Sequence, residues 1–412
     1  MRMTNHVLQY LFAGILVMML GGLIGWYIFV HKQITTTEAT DTARGLSSAP
    51  SFGGGTYGAA SGGVSSSTTA FSTVSTGSTG SAAPRLWKVT GGPVAGFGFE
   101  ASSTRMYFAE RDNGNILSAD PSLTKISRLT NTLLPKIYEA LFASDGSVVL
   151  RSLSETGSIV SYAAHLATST EADAPAALSG VYLPPGIRTI AVRPGSQQLF
   201  FLIPQGQNGV TGVTTDWKGG AQKRVFASAL KDWQATWEKD GTVYLAQNAS
   251  DDIPGYAFRL NTSGVLSPLV SGIPGLTVLP RTGSSALLYG SSSGGTPSLY
   301  GLSSASSTAV RFNIRTSADK CVWAPGNALI AYCAAPQSLS TDAYFRNRFA
   351  GTLHTQDALW TVNVSAGTAE ILFRPDSSTV IDAENLAVDP SGAFLGFMNA
   401  VDKSLWMLRI VQ

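Results

Sequence analysis

NLAVDPSGAFLGFMNAVDKSLWMLRIV, residues Asn385–Val411, decides the fold. Leu386–Val388 is a short apolar run, and Asp389-Pro390-Ser391-Gly392 is turn chemistry. Phe394–Met398 and Leu405–Val411 are two further runs rich in β-formers. The stretch therefore predicts strand, tight turn, strand, loop, strand.

The pattern recurs upstream at intervals of about 40–60 residues, the mark of a repeat architecture. Its copies are GFGFEASSTRMYFAE from Gly96, ALFASDGSVVLRS from Ala140, TIAVRPGSQQLFFL from Thr189, QATWEKDGTVYLAQ from Gln234, TVLPRTGSSALLYG from Thr277 and CVWAPGNALIAYC from Cys321. With the last copy this makes seven hairpins. Third strands are predicted at Asn115–Ser118, Ser158–Ala163, Gly209–Thr214, Gly255–Leu260, Ser298–Leu302, Ala358–Val362 and Ser404–Val411. Fourth strands follow in all units but the last: Lys125–Leu129, Ala177–Val181, Arg224–Ala227, Leu266–Val270, Ala309–Asn313 and Glu370–Phe373.

These strands do not alternate apolar with polar; Val148-Val149-Leu150 and Leu199-Phe200-Phe201-Leu202 are apolar on both parities. A strand with one solvated face alternates, whereas one covered on both faces need not. Sheets stacked face to face around a channel meet that condition, so the all-β fold predicted is a seven-bladed β-propeller over 85–412. The seventh unit lacks a fourth strand, and Leu86–Thr90 (LWKVT) is a lone strand candidate at the other end. Pairing the two closes the ring and leaves no open edge.

DPSGAFLGFMNAVDKSLWMLRI, with SDGSVVLRSLSETGSIVSYA and the Ala358–Val362 strand ALWTV, resembles the repeat of TolB-type propellers, relatives of WD repeats. The resemblance covers most of Arg85–Gln412 at the level of pattern and implies a fold rather than a function. TolB itself is a soluble periplasmic protein with an extra N-terminal domain, and similar anchor-plus-propeller chains occur among uncharacterised bacterial envelope proteins.

Ahead of the repeats, Val7–Val30 (VLQYLFAGILVMMLGGLIGWYIFV) carries no charge and is long enough to span a bilayer as a helix. It ends in the bulky, basic Ile28-Phe29-Val30-His31-Lys32 rather than a small-residue cleavage site, so 1–32 reads as a cytoplasmic tip and uncleaved transmembrane signal anchor. Residues 33–84 are rich in Gly, Ser and Thr, with no charge between Arg44 and Arg85. Such a segment buries too little apolar surface to order itself and reads as a disordered linker. The propeller is expected outside the cell membrane.

The 412 residues carry a net charge of +2 and only 13% charged side chains. A nucleic-acid binder would show a basic stripe, so no nucleic-acid partner is expected. His6, His31, His165 and His354 are scattered, and HExxH, CxxC, P-loop and GxSxG motifs are absent. The sequence thus predicts no metal, no cofactor and no catalytic residue. Asp112-Asn113-Gly114-Asn115 reads as a turn, and Asp251-Asp252 and Asp382/Glu384 read as solvated loop ends.

Two features stand out from the repeat. Cys321 and Cys333 flank Pro325-Gly326-Asn327 symmetrically, so a hairpin centred on Asn327 sets them opposite each other, and an oxidising compartment favours their disulfide. The sixth unit also carries an insertion, Ala335–Gln356 (APQSLSTDAYFRNRFAGTLHTQ). Tyr344, Phe345, Arg346, Arg348 and Phe349 have the composition of an interface hot spot, and a flap folded onto the channel is the rival reading. The expectation is a membrane-tethered protein-binding or scaffolding module whose partner is an envelope protein or a glycan. A propeller enzyme of lyase, lactonase or glycosidase type is the alternative, and a structural surface component a third.

Overall fold

The computed structural model describes residues 84–121, 125–166, 175–339 and 341–410. The expected anchor over Val7–Val30 and its spacer, up to residue 83, lie outside them. Among the described residues no helix is long and apolar enough to cross a membrane.

The body is a seven-bladed β-propeller with seven four-stranded sheets, and among the described residues it is all-β apart from two short helical turns. Blade 1 runs from Val94–Phe99 to Lys125–Arg128, blade 2 from Ile137–Phe142 to Ser179–Tyr182, and blade 3 from Thr189–Val192 to Lys223–Ser228. Blade 4 runs from Trp233–Trp237 to Leu266–Pro274, blade 5 from Val278–Pro280 to Val310–Arg311, and blade 6 from Cys321–Trp323 to Thr368–Phe373. Blade 7 joins Ala383–Val388, Phe394–Asn399 and Leu405–Arg409 to the N-terminal Leu86–Lys88.

The closing strand pairs antiparallel with Leu405–Arg409 in the register Leu86↔Leu408, Trp87↔Met407, Lys88↔Trp406. It stops at Lys88 rather than Thr90. The Val89 and Thr90 N–H groups both bond to the Leu405 carbonyl, at 2.7 and 3.4 Å, which turns the chain toward blade 1.

The apolar core is divided among the seams between blades, one buried cluster to each. Phe201 and Leu199 of blade 3 pack with Val149 and Ala163 of blade 2. Trp87 and Met407 of blade 7 pack with Met106 and Phe108 of blade 1. This is why both parities of a strand are apolar: each sheet is covered on both faces. The seam between blades 4 and 5 has the smallest cluster, with Ala246, Ala257 and Leu276 buried.

Arginines staple some seams. Arg281, after the inner strand of blade 5, donates to the Gly326 and Ala328 carbonyls of blade 6 at 2.6 Å each and lies over the Trp323 ring. Arg193 of blade 3 repeats the device on the Lys239 carbonyl and Trp237 of blade 4. Across the thin seam the Thr282 hydroxyl donates to the Glu238 carboxylate.

Antiparallel order puts two kinds of connection on one face of the disc. These are the links from one blade's outer strand to the next blade's inner strand, and the loops between second and third strands. This is called the upper face below, and the blade 6 insertion lies on it.

Cys321 and Cys333 are cross-strand partners in blade 6 and are joined by a disulfide, S–S 2.12 Å. Closing a loop across a separation of 12 residues limits the unfolded chain and is worth at most about 3 kcal/mol. The Cys321→Ser/Cys333→Ser variant should lower the unfolding free energy by that much or less, read as a lower denaturant midpoint. A midpoint equal to that of the oxidised parent would mean that the bridge adds no stability.

Candidate binding face

The site is built around the blade 6 insertion. The second strand of blade 6 continues to Pro336 and the third resumes at Asp357, so residues 337–356 leave the sheet. Within them Tyr344–Phe349 forms a short α-helix, α1, whose spacing Tyr344/Arg348 and Phe345/Phe349 sets like faces together.

α1 crosses blade 5 and docks on blade 4. The Tyr344 N–H donates to the Gly295 carbonyl of blade 5 at 3.1 Å. The Phe345 and Arg346 N–H groups donate to the two carboxylate oxygens of Asp251 in blade 4, each at 3.0 Å. Those are donors that a helix N-terminus leaves unpaired, and here a distant carboxylate caps them. Close approach requires glycine below: a Cβ on Gly295 would lie 1.2 Å from the Asp342 carbonyl oxygen, and one on Gly275 would lie 2.7 Å from the Phe345 ring. Tyr344 and Phe345 have no exposed surface, and they pack with Ala249 of blade 4 and with Leu339 and Leu353 of the insertion. The insertion is thus a strap from blade 6 over blade 5 to blade 4, and it covers the thinnest seam of the ring.

A buried ion network holds the base of the strap. Lys320, just before the inner strand of blade 6, is fully buried. Its Nζ lies 2.7 Å from Asp357 Oδ2 and 2.7 Å from Asp382 Oδ1. The Thr355 hydroxyl lies 2.8 Å from Asp357 Oδ1 and 3.0 Å from Asp382 Oδ1, and the Ala383 N–H donates to Asp357 Oδ2 at 2.8 Å. Burial alone would discharge this lysine, yet Asp357, Tyr344 and Asp382 outweigh it and hold the ammonium above the ordinary lysine range. For Asp382 burial opposes the charge, and Lys320 with the Thr355 hydrogen bond wins, so its carboxyl sits below the usual range. His354 Nδ1 is 3.3 Å from Asp382 Oδ2 at the edge of the cluster.

The five insertion residues expected at an interface divide into two sets. Tyr344 and Phe345 are corrected to interior anchors, because Ala249 of blade 4 and the insertion's own Leu339 and Leu353 enclose them. Arg348 also turns inward: it donates to Asp319 Oδ2 at 2.6 Å and lies over the Tyr344 ring. Phe349 is 56% exposed, and the Arg346 side chain is 69% exposed with a weak contact of 3.4 Å to Asp252. Only these two face outward.

Two other expectations need correcting. Asp251 and Asp382 are not solvated loop ends but are 4% and 5% exposed, each occupied by the hydrogen bonds just described. The turn expected at Asp112-Asn113-Gly114-Asn115 is present, by contrast, with Asn113 Oδ1 accepting the Asn115 N–H at 2.7 Å. Lys320 and Asp357 escaped the sequence reading altogether. The available signal was one lysine against the apolar CVWAP strand, and an Asp-Ala pair opening two strands, at Asp357 and Asp382.

The upper face also carries a cleft of about 600 Å³ between blades 2, 3 and 4. Arg188, Asp232, Gln234 and Asn248 are among its lining residues. Asn248 belongs to the blade 4 loop that also presents Asp251 to α1, so strap and cleft share one support.

No family model matches the sequence, and no curated protein matches it. Solved structures do. Selenomethionine-substituted virginiamycin B lyase from Staphylococcus aureus is 14% identical at a TM-score of 0.47, with 79% of this chain and 98% of that chain covered. The β-propeller domain of Cps50 (Swd1) from Myceliophteria thermophila is 9% identical at 0.48, with 79% and 98% covered. U3-55K is 12% identical at 0.47, again with 79% and 98% covered. The assignment of seven blades rests on the sheet topology of this chain itself.

Proposed function

We propose that this protein is a membrane-tethered, extracytoplasmic propeller of the cell envelope that binds or scaffolds a partner through its upper face. The observation that carries the reading is the strap. A regular blade closes without it, yet here twenty or so residues are fixed by a remote cap and a buried ion network. They present one exposed aromatic ring, Phe349, beside one nearly free guanidinium, Arg346. Aromatic and arginine side chains on a pre-ordered support lose little entropy on binding, which favours them as contact anchors. The setting is supported by the uncharged Val7–Val30 run, by the spacer and by the Cys321–Cys333 bridge, a bond that persists in oxidising compartments.

The Arg346→Ala/Phe349→Ala variant tests the contact surface. Cross-linking on intact cells should capture envelope partners with the parent chain and about tenfold less with the variant, the size of effect expected when hot-spot side chains are truncated. Its melting temperature should stay within about 1 °C, because surface substitutions cost little. Unchanged capture would overturn the assignment, and a large loss of stability would make the pair structural. Protease added to intact cells should release the propeller by cutting in the spacer; a body protected until lysis would place it on the other side.

A further inference from the structure

The cleft between blades 2, 3 and 4 has a defined chemistry. Its volume of about 600 Å³ falls within the usual range for small-ligand sites. Its walls come from three blades, with Ser158 and Ile159 from the second, Arg188 and Thr189 from the third, and Gln234 and Asn248 from the fourth. Gln234 Nε2 donates to Asn248 Oδ1 at 2.9 Å. That bond orients both amides and leaves the Gln234 carbonyl as an acceptor and the Asn248 NH2 as a donor. At the same cleft Arg188 Nη1 lies 3.0 Å from Asp232 Oδ1, with the two side chains 51% and 63% exposed. This pair adds further donors and a second carboxylate oxygen but no net charge.

We infer that this cleft binds an uncharged glycan chain, an inference that rests on reading the upper face as a binding face. The lining sets donors beside acceptors and has no net charge. A sugar hydroxyl, which both donates and accepts, can meet either kind of group. A phosphate would meet the Asp232 carboxylate, and an ammonium would meet the Arg188 guanidinium. Either ion would approach one charge that attracts it and one that repels it, so the pair favours neither. Ile159, Pro185 and Pro204 offer apolar wall for the C–H faces of a sugar ring. A glycan longer than the cleft would continue over the Asn248 loop, on which Asp251 holds α1.

The test uses the full chain in detergent, with cellotetraose, maltotetraose and chitotetraose as probes and with trialanine and inorganic phosphate as controls. Saturation-transfer NMR and calorimetry should find at least one tetrasaccharide bound. Its affinity should be insensitive to salt, because no ionic contact is formed. Gln234→Leu and Asn248→Leu should each weaken it about tenfold, the loss expected for one hydrogen bond left unmade, with the melting temperature unchanged. The inference falls if none of the three saccharides binds, if binding survives both substitutions, or if trialanine or phosphate occupies the cleft instead. Failure here with partner capture through Arg346 and Phe349 intact would leave the broader reading standing.

Discussion

Replacing Lys320 by methionine is expected to destabilise the propeller by about 3–5 kcal/mol, because it leaves two buried carboxylates without their cation. Asp357 has no exposed surface and Asp382 only 5%. Neither can reach water to recover its solvation, and the Thr355 hydroxyl cannot replace a positive charge. The charges also tie three segments together: Lys320 before the inner strand of blade 6, Asp357 where the strap rejoins the sheet, and Asp382 before the inner strand of blade 7. The variant should therefore show a lower urea midpoint and faster tryptic cleavage at Arg346 and Arg348. Removing the carboxylates as well, in Lys320→Met/Asp357→Asn/Asp382→Asn, should restore part of the loss, since a charge absent from the interior needs no partner. A Lys320→Met unfolding free energy within about 1 kcal/mol of the parent would show that this cluster is solvated in solution.

The pH dependence gives a second, signed readout. In the parent the folded Asp382 carboxyl lies below its unfolded value. Its contribution is present above about pH 4 and is lost as pH falls through the folded value. The Lys320 ammonium lies above its unfolded value, so its contribution is complete below about pH 10 and is lost only on further rise. Without the lysine, the burial that raises the Asp382 carboxyl is no longer outweighed, protonation there favours the folded state, and stability grows as pH falls. The difference between parent and variant should shrink from pH 7 toward pH 4. A constant difference would mean that methionine acts by packing alone.

The blade count and the closing strand were legible because both are written in local patterns. A turn such as Asp389-Pro390-Ser391-Gly392 between apolar runs marks a hairpin wherever it occurs. The absence of alternation in Leu199-Phe200-Phe201-Leu202 reports cover on both faces. The Cys321–Cys333 register was equally local, since hairpin symmetry about Asn327 sets it. The strap was legible as an interruption but its side chains were not. Whether Tyr344 points to solvent depends on Ala249 and on the Asp251 cap, both of which belong to blade 4. No reading of the insertion contains that fact. Asp251 illustrates the same limit from the other side. Next to Asp252 it looks like a solvated loop carboxylate, and only the arrival of α1 from nearly a hundred residues downstream makes it a helix cap.

Deleting Leu86–Lys88 from the otherwise intact chain is expected to have the larger effect, although three residues are removed. Trp87 is 5% exposed in the cluster between blades 7 and 1, edge-on to Phe394 with ring centroids 6.1 Å apart, and the Arg409 guanidinium lies over it. Trp87→Ala alone should cost about 3–5 kcal/mol, the usual range for removing a buried aromatic. The deletion adds the loss of the ladder to Leu405–Arg409, the ion pair of Lys88 with Asp402 at 2.8 Å, and the hydrogen bond from Arg85 to the Arg409 carbonyl. It also changes the topology. Blade 7 is the one sheet built from both chain ends, so its outer strand ties the N-terminal side of the ring to the C-terminal side. Without it Leu405–Arg409 becomes a bare edge, and bare edges pair with other chains. The deleted protein should melt well below Trp87→Ala and should self-associate on size-exclusion chromatography. Restoring the strand as a separate peptide, LWKVT with its flanking residues, should raise the melting temperature in a concentration-dependent way, because a ligand of the folded state alone stabilises it by mass action. A monomer that melts with the parent would show that the ring is held by its seams and that the closing strand is dispensable.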